Sequence, residues 1–103
     1  MRRIVDRIIY DTEKAELLAS YEAKENPSDF RWYREDLYQT KNGRFFLHGK
    51  GGPSSPYASI GYGCSSSGEK IVPLSEGEVV KWLENTENYD VLLELFPDEI
   101  EEA

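Results

Sequence analysis

Phe30-Arg31-Trp32-Tyr33-Arg34-Glu35-Asp36-Leu37-Tyr38, then Lys41-Asn42-Gly43, then Arg44-Phe45-Phe46-Leu47-His48, is the stretch on which the fold turns. Two aromatic-rich runs flank an Asn-Gly pair, and both central residues of a type I′ turn need positive φ, so the segment predicts a β-hairpin. With Asn42 and Gly43 as the turn, Lys41 faces Arg44 and Tyr38 faces Leu47. Tyr38, Phe45 and Leu47 then share one face and Phe46 takes the other. Two facing cations at the tip repel slightly, which suggests an external use for it.

Outward from the hairpin, Arg3 to Tyr10 is β-branched and reads as a strand. Asp11-Thr12-Glu13 offers a cap with an acidic first turn. A helix over 13–24 is expected after it, with Leu17, Leu18 and Tyr21 as its buried stripe and Asn26-Pro27-Ser28-Asp29 as its break. Residues 49–68, rich in Gly, Ser and Pro, read as a long loop. Glu69 to Leu74 reads as a last strand, held at a sheet edge by Pro73. Ser75-Glu76-Gly77-Glu78 is a capping box opening a helix over 76–86, and Asn88 is placed to cap a final helix from Tyr89 to Phe96. The expectation is a single α+β domain over 1–103: a small antiparallel sheet of three or four strands with helices packed on it. Its element order is β-α-β-β-loop-β-α-α, and residues 97–103 form a frayed acidic end.

The chain has 103 residues, 39% of them hydrophobic and 13% aromatic, enough for one compact core and too few for two. One cysteine, Cys64, rules out an internal disulfide and a cysteine-based zinc cluster. One histidine, His48, rules out a histidine-rich metal centre. No apolar run approaches the ~18 residues of a membrane span, and Asp6 and Arg7 interrupt the N-terminal apolar run, so a signal peptide is not expected. A protein soluble in the cytoplasm, without membrane association, cofactor or metal, is the expectation.

Charge is unevenly spread. The net charge is −8; residues 1–74 carry 11 basic and 10 acidic groups, whereas residues 75–103 carry Lys81 against ten acids. Glu84, Glu87, Asp90 and Glu94 recur at steps of three and four, so on helical stretches neighbours stand ~5–6 Å apart. With Asp98, Glu99, Glu101 and Glu102 they receive almost no local cations, and such crowding is self-repulsive. A fixed row of carboxylates imitates a phosphate backbone, whose charges come every ~3.4 Å along one strand. The ordinary reading of the same residues is a solvated helix face with a loose tail.

Other motifs carry less. His48 and Cys64 are the only nucleophile–base candidates, and a hairpin histidine with a loop thiol explains them as well. Adjacent Glu35 and Asp36 point to opposite faces of a strand and make no acid–base pair. Gly49-Lys50-Gly51-Gly52 lacks the ending of a phosphate loop. Arg31, Arg34, Lys41 and Arg44 interleaved with Trp32, Tyr33, Phe45 and Phe46 could stack single-stranded bases, although a small domain needs most of its rings inside. No enzyme is expected.

Several stretches together resemble a family of small proteins carried by bacterial phages and other mobile elements. They are Tyr10-Asp11-Thr12-Glu13-Lys14-Ala15, Glu35 to Leu47, Gly49-Lys50-Gly51-Gly52-Pro53 with Tyr57-Ala58, and Gly68 to Ser75 with Trp82-Leu83-Glu84. An anti-CRISPR inhibitor of a type I system, of the I-C kind, is identified as a member of that group. The likeness covers residues 9–85 and leaves out the most acidic part. It implies a monomeric, stoichiometric inhibitor acting in the host bacterial cell, whose partner is the basic DNA-binding surface of a CRISPR effector complex and which binds no nucleic acid itself. Two alternatives remain: a nucleic-acid-binding accessory module using hairpin 30–48, and a mobile-element protein whose loop 49–68 engages another host partner.

Overall fold

The computed structural model describes residues 1–103 except 24, 25, 27 and 62. Its centre is a four-stranded antiparallel sheet in the order β3-β4-β5-β8, formed by β3 (Glu16–Glu22), β4 (Tyr33–Gln39), β5 (Phe45–Gly51) and β8 (Gly68–Leu74). Two two-stranded hairpins flank it: β1 (Arg2–Val5) with β2 (Ile8–Asp11), and β6 (Ser59–Gly61) with β7 (Cys64–Ser66). The helices α1 (Glu76–Asn85) and α2 (Tyr89–Leu95) come last, followed by a 3-10 turn at Pro97–Glu99. The α+β class with an antiparallel sheet is as expected, and β8 with Pro73 is an edge strand. No helix of the described residues is long and apolar enough to cross a membrane.

The expected helix over 13–24 is instead β3. The Leu17-Leu18 doublet imitated a helical stripe because the β3–β4 register shifts between Leu17 and Ala19, leaving Leu18 as a bulge. Leu17 lies opposite Tyr38 and stays half exposed, while Leu18 and Ala19 pack toward the helices. Asp11 does cap an amide, but within a turn: its Oδ1 accepts from the Glu13 N–H at 2.9 Å. The expected helix end at Lys24, the break at Pro27 and Tyr62 of the expected loop lie outside the described residues.

The N-terminal strand is likewise two strands. Asp6 (φ 51°) and Arg7 (φ 65°) reverse the chain between β1 and β2, with both turn residues left-handed as a type I′ connection requires. The sequence hid this turn because neither residue is Asn or Gly.

The central hairpin forms as expected, but its register differs by one residue. Gly43, at φ 85°, follows Lys41 and Asn42 in a three-residue loop; the Thr40 N–H donates to the Arg44 carbonyl at 2.8 Å and the Gly43 N–H to the Thr40 carbonyl at 2.9 Å. Thr40 therefore faces Arg44, Leu37 faces Leu47, and Tyr38 faces Phe46. Since side chains alternate, the one-residue shift moves Tyr38 to the other face. Its ring stacks on Phe46, with centroids 5.2 Å apart and planes 10° from parallel.

Each face of the sheet therefore has its own core. Ala19, Leu37, Phe45 and Leu47 pack against Val79 and Leu83 of α1 and Leu92 of α2. On the reverse face, Phe46 and Ile71 pack against Tyr10 of the β1–β2 hairpin, whose ring meets Phe46 edge-on at 5.5 Å. Arg3 fastens that hairpin by donating from Nη1 to the Ile71 carbonyl at 2.6 Å. Fully burying side chains of this size contributes roughly 1.5–3 kcal/mol each. The core is thus split between two layers, one helical and one a hairpin.

The expected loop 49–68 is largely ordered structure. Gly49 to Gly51 belong to β5, and β6 and β7 form an exposed hairpin turning through Gly63 at φ 74°. Residues 52–58 fold back over β5, where a Cβ on Gly49 would come within 2.0 Å of the Tyr57 ring. That glycine is there to let the ring lie on the strand.

Candidate functional site

α1 starts on the expected capping box. The Ser75 Oγ accepts from the Glu78 N–H at 3.2 Å, and the Glu78 carboxylate accepts from the Ser75 N–H at 3.0 Å. The Ser75 backbone bond, followed by the side-chain bond, holds the Glu78 carboxyl below its usual pKa. Val79 and Leu83 are fully buried, which turns Glu76, Lys81 and Glu84 to solvent. The helix ends at Thr86 and the chain reverses through Glu87 at φ 59°, with the Glu87 N–H donating to the Glu84 carbonyl at 3.2 Å and the Asn88 N–H to the Leu83 carbonyl at 2.9 Å. This is a Schellman motif with glutamate in the position glycine usually takes.

α2 does not start as expected. The Asn88 side chain does not cap it; its Nδ2 donates to the Thr86 Oγ1 at 2.8 Å and to the Ser20 carbonyl at 3.4 Å, tying the helix start to β3. Leu92 is buried, while Asp90 and Glu94 are exposed four residues apart on one side of α2.

The expected acidic row is therefore composed of three pieces. Glu84 belongs to α1, Glu87 to the reversal, and Asp90 with Glu94 to α2, so helical spacing relates only the last two. Asp98 and Glu99 stand on the 3-10 turn instead of a frayed end, and Glu101 and Glu102 follow it outside any helix or strand. All eight carboxylates are exposed. Among the described residues the ion pairs are Arg31–Asp29 and Arg34–Asp36, His48 lies 3.0 Å from Glu69, and none of these contacts draws on an acid beyond Leu74. Neither helix has a basic residue in its last turn, where a cation would complement the negative end of the dipole.

Sequence reasoning missed the apolar members of this surface. Tyr89 and Leu93, 53% and 52% exposed, sit four residues apart on α2 between the acids, and Ile100 lies further along. The available signal was the run Tyr89-Asp90-Val91-Leu92-Leu93-Glu94-Leu95, which holds more large apolar residues than one buried stripe uses.

A second constellation lies on the helix-bearing face of the sheet, at Glu35. The Trp82 indole N–H donates to its Oε1 at 2.9 Å and the Tyr57 hydroxyl donates to its Oε2. Tyr33 stands between Tyr57 and Tyr21, with ring centroids 6.1 and 6.2 Å away. Burial, then the bond to Glu35, raises the Tyr57 phenol far above its usual pKa; burial and the nearby Glu35 charge also raise Tyr33. Both oxygens of Glu35 are occupied by the protein, so the group fastens the fold.

The reverse face is polar where the β1–β2 hairpin does not cover it. Asp36 accepts from Ser20 Oγ at 2.7 Å and from Arg34 Nε at 3.0 Å, and His48 Nε2 lies 3.0 Å from Glu69. Cys64 stands apart on β7, exposed. Gly49-Lys50-Gly51 is paired strand between β4 and β8, and the Gly52 N–H donates to the Trp32 carbonyl at 2.8 Å; those amides form no phosphate loop. Phe45 and Phe46 are buried on opposite faces, and the Trp32 indole donates to Glu22 at 2.9 Å, so these rings make no common stacking platform. Among the described residues no group of three His, Cys, Asp or Glu is placed to hold a metal ion.

Comparison with protein-family models, with curated proteins and with solved structures finds no match to this chain.

Proposed function

We propose that the protein is a stoichiometric inhibitor without chemistry of its own, which lays the acidic surface of α1, α2 and the 3-10 turn on a basic nucleic-acid-binding surface of a partner. The resemblance over residues 9–85 makes that partner the DNA-binding groove of a type I CRISPR effector complex in the host bacterial cytoplasm. Glu84, Glu87, Asp90 and Glu94 are the central contacts, and Asp98, Glu99, Glu101 and Glu102 extend them.

One observation supports this reading most: Glu84, Asp90 and Glu94 stand on helices anchored from beneath by Val79, Leu83 and Leu92, with Glu87 on the reversal between them, and no ion pair among the described residues neutralises these acids. Concentrated negative charge destabilises a fold through self-repulsion. A basic partner relieves that repulsion on binding, which gives the complex a fast, steered encounter.

The experiment is a competition assay between effector and target DNA. Reversing Glu84, Glu87 and Asp90 to Lys is expected to abolish the block, and inhibition by the unaltered protein should weaken as salt rises from about 0.05 to 0.5 M. Undiminished inhibition by the triple reversal overturns the proposal.

A further inference from the structure

An open recess of about 340 Å³ lies at the end of the sheet where β5 finishes and β8 begins, within the ~300–1,000 Å³ that small ligands occupy. Trp32, just ahead of β4, Lys50 of β5 and Glu69 of β8 supply its functional side chains. Gly51, Gly52 and Gly68 add only backbone, so a flat group can approach the strands closely. Lys50 and Glu69 alternate along their strands onto the face of Phe46 and Ile71, the layer opposite the helices.

Two of the three side chains are already held. The Trp32 indole N–H donates to Glu22 Oε1 at 2.9 Å, which fixes the ring. Glu69 Oε2 stands 3.0 Å from His48 Nε2, which turns the carboxylate away from Lys50 although the two residues lie directly opposite in register. Lys50 makes no ion pair among the described residues. The neighbouring cation, Arg34, is occupied by Asp36. With one free ammonium beside one carboxylate, the recess has no surplus charge to attract a bare phosphate. What suits it is a neutral planar group that accepts on one side and donates on the other.

We propose that the recess binds the base of a guanine nucleotide, stacked on Trp32. An ammonium can only donate and a carboxylate can only accept. Guanine sets the O6 acceptor next to the N1–H and N2–H donors, so Lys50 takes O6 while Glu69 takes the two donors. Adenine offers the carboxylate a single donating group, and uracil would turn a carbonyl toward it. Stacking on an indole is indifferent to the base, so Lys50 and Glu69 carry the selectivity. One ring makes a site for one base and no track for a strand. The site does not rest on the inhibitory role proposed above, since the acidic helices pack on the Leu37 face.

Proton–nitrogen NMR of the whole chain tests this, because the two tryptophans give two indole N–H signals and Trp82 lies on the far face, bonded to Glu35. Guanosine monophosphate should shift the Trp32 signal saturably, with half-saturation at about 0.1–1 mM, and leave the Trp82 signal in place. Inosine monophosphate, which lacks the 2-amino group, should bind about tenfold more weakly. Uridine monophosphate and ribose 5-phosphate should leave the signal unmoved. Lys50→Met should weaken both purines, whereas Glu69→Gln should erase most of the preference for guanine over hypoxanthine. Both side chains are exposed, so both variants should melt with the unaltered protein. The nucleotide comparison decides the matter on the unaltered chain alone: no shift by about 5 mM guanosine monophosphate, or an equal response to all four compounds, overturns the proposal. So does a preference for guanine that survives Glu69→Gln undiminished.

Discussion

Trp82 donates its indole N–H to Glu35 Oε1 at 2.9 Å, a bond between α1 and the middle of β4 that spans 47 positions of sequence. The same carboxylate receives the Tyr57 hydroxyl on its other oxygen. One side chain therefore holds the first helix and the segment that folds over β5 to the same strand. The helices that carry the acidic surface inherit their position partly from this bond.

Glu35→Gln tests that coupling. The amide keeps one oxygen for Trp82 but turns an NH2 toward the Tyr57 oxygen, so that bond must reverse its direction and loses the carboxylate's charge. A loss of about 1–2 kcal/mol is expected in urea unfolding, since bonds to charged groups are the stronger ones. In a double-mutant cycle with Tyr57→Phe the losses should be less than additive, since both disrupt the bond between Tyr57 and Glu35. Strict additivity would show that the two side chains are not coupled.

Tyr57 links this carboxylate to alkaline stability. Burial first, and then the bond to Glu35, raises its phenol, so the folded state holds the proton more tightly than the unfolded chain, which releases it near pH 10. The contribution is therefore complete below about pH 10 and is lost as the pH rises from there toward the folded value. Absorbance titration should find Tyr57 the last of the seven tyrosines to ionise. Tyr57→Phe should remove that final step and flatten the fall in stability above pH 10. Ionisation of Tyr57 along with the exposed tyrosines would contradict the burial on which this depends.

Gly49→Ala addresses the packing of residues 52–58. The new Cβ would stand 2.0 Å from the Tyr57 ring, which cannot swing aside without giving up Glu35. Overfilling of this kind typically costs about 1–3 kcal/mol. Combining it with Tyr57→Ala should return most of the loss, because the obstructing ring is gone. No recovery in the double variant would mean the strand itself, not the ring, rejects the side chain.

Those positions also mark where the sequence was readable. Features governed by short-range chemistry were legible: the capping box at Ser75 and Glu78, the edge strand that ends with Pro73 and Leu74, the reversal near Gly43. Features that depend on what a residue meets across the fold were not. Leu17-Leu18 fits a helix stripe and a β-bulge equally well until β4 supplies the partner. Asp6-Arg7 lacks the residues that announce a type I′ turn, and Asn88, an able cap by type, bonds to β3 instead. The one-residue change at Thr40 then relocated Tyr38 to the opposite core. Of the acidic surface, the residue types and the positions at which the two helices begin were legible, but the left-handed reversal at Glu87, the bonds that Asn88 makes in place of a cap and the exposed Tyr89 and Leu93 were not.

Glu87→Gly separates stability from binding at that reversal. Glycine adopts the left-handed conformation freely, and although it also gains freedom in the unfolded chain, a net stabilisation of about 0.5–1 kcal/mol is expected. The same change removes a carboxylate from the centre of the acidic surface. If that surface binds a basic partner, the variant should melt a few degrees higher yet inhibit less, with the deficit narrowing as salt rises and charge matters less for both proteins. Glu87→Asn, which tolerates the same backbone while losing the charge, should lose a similar amount of binding. A variant that is more stable and equally inhibitory would mean that the strain at Glu87 serves no contact through its carboxylate.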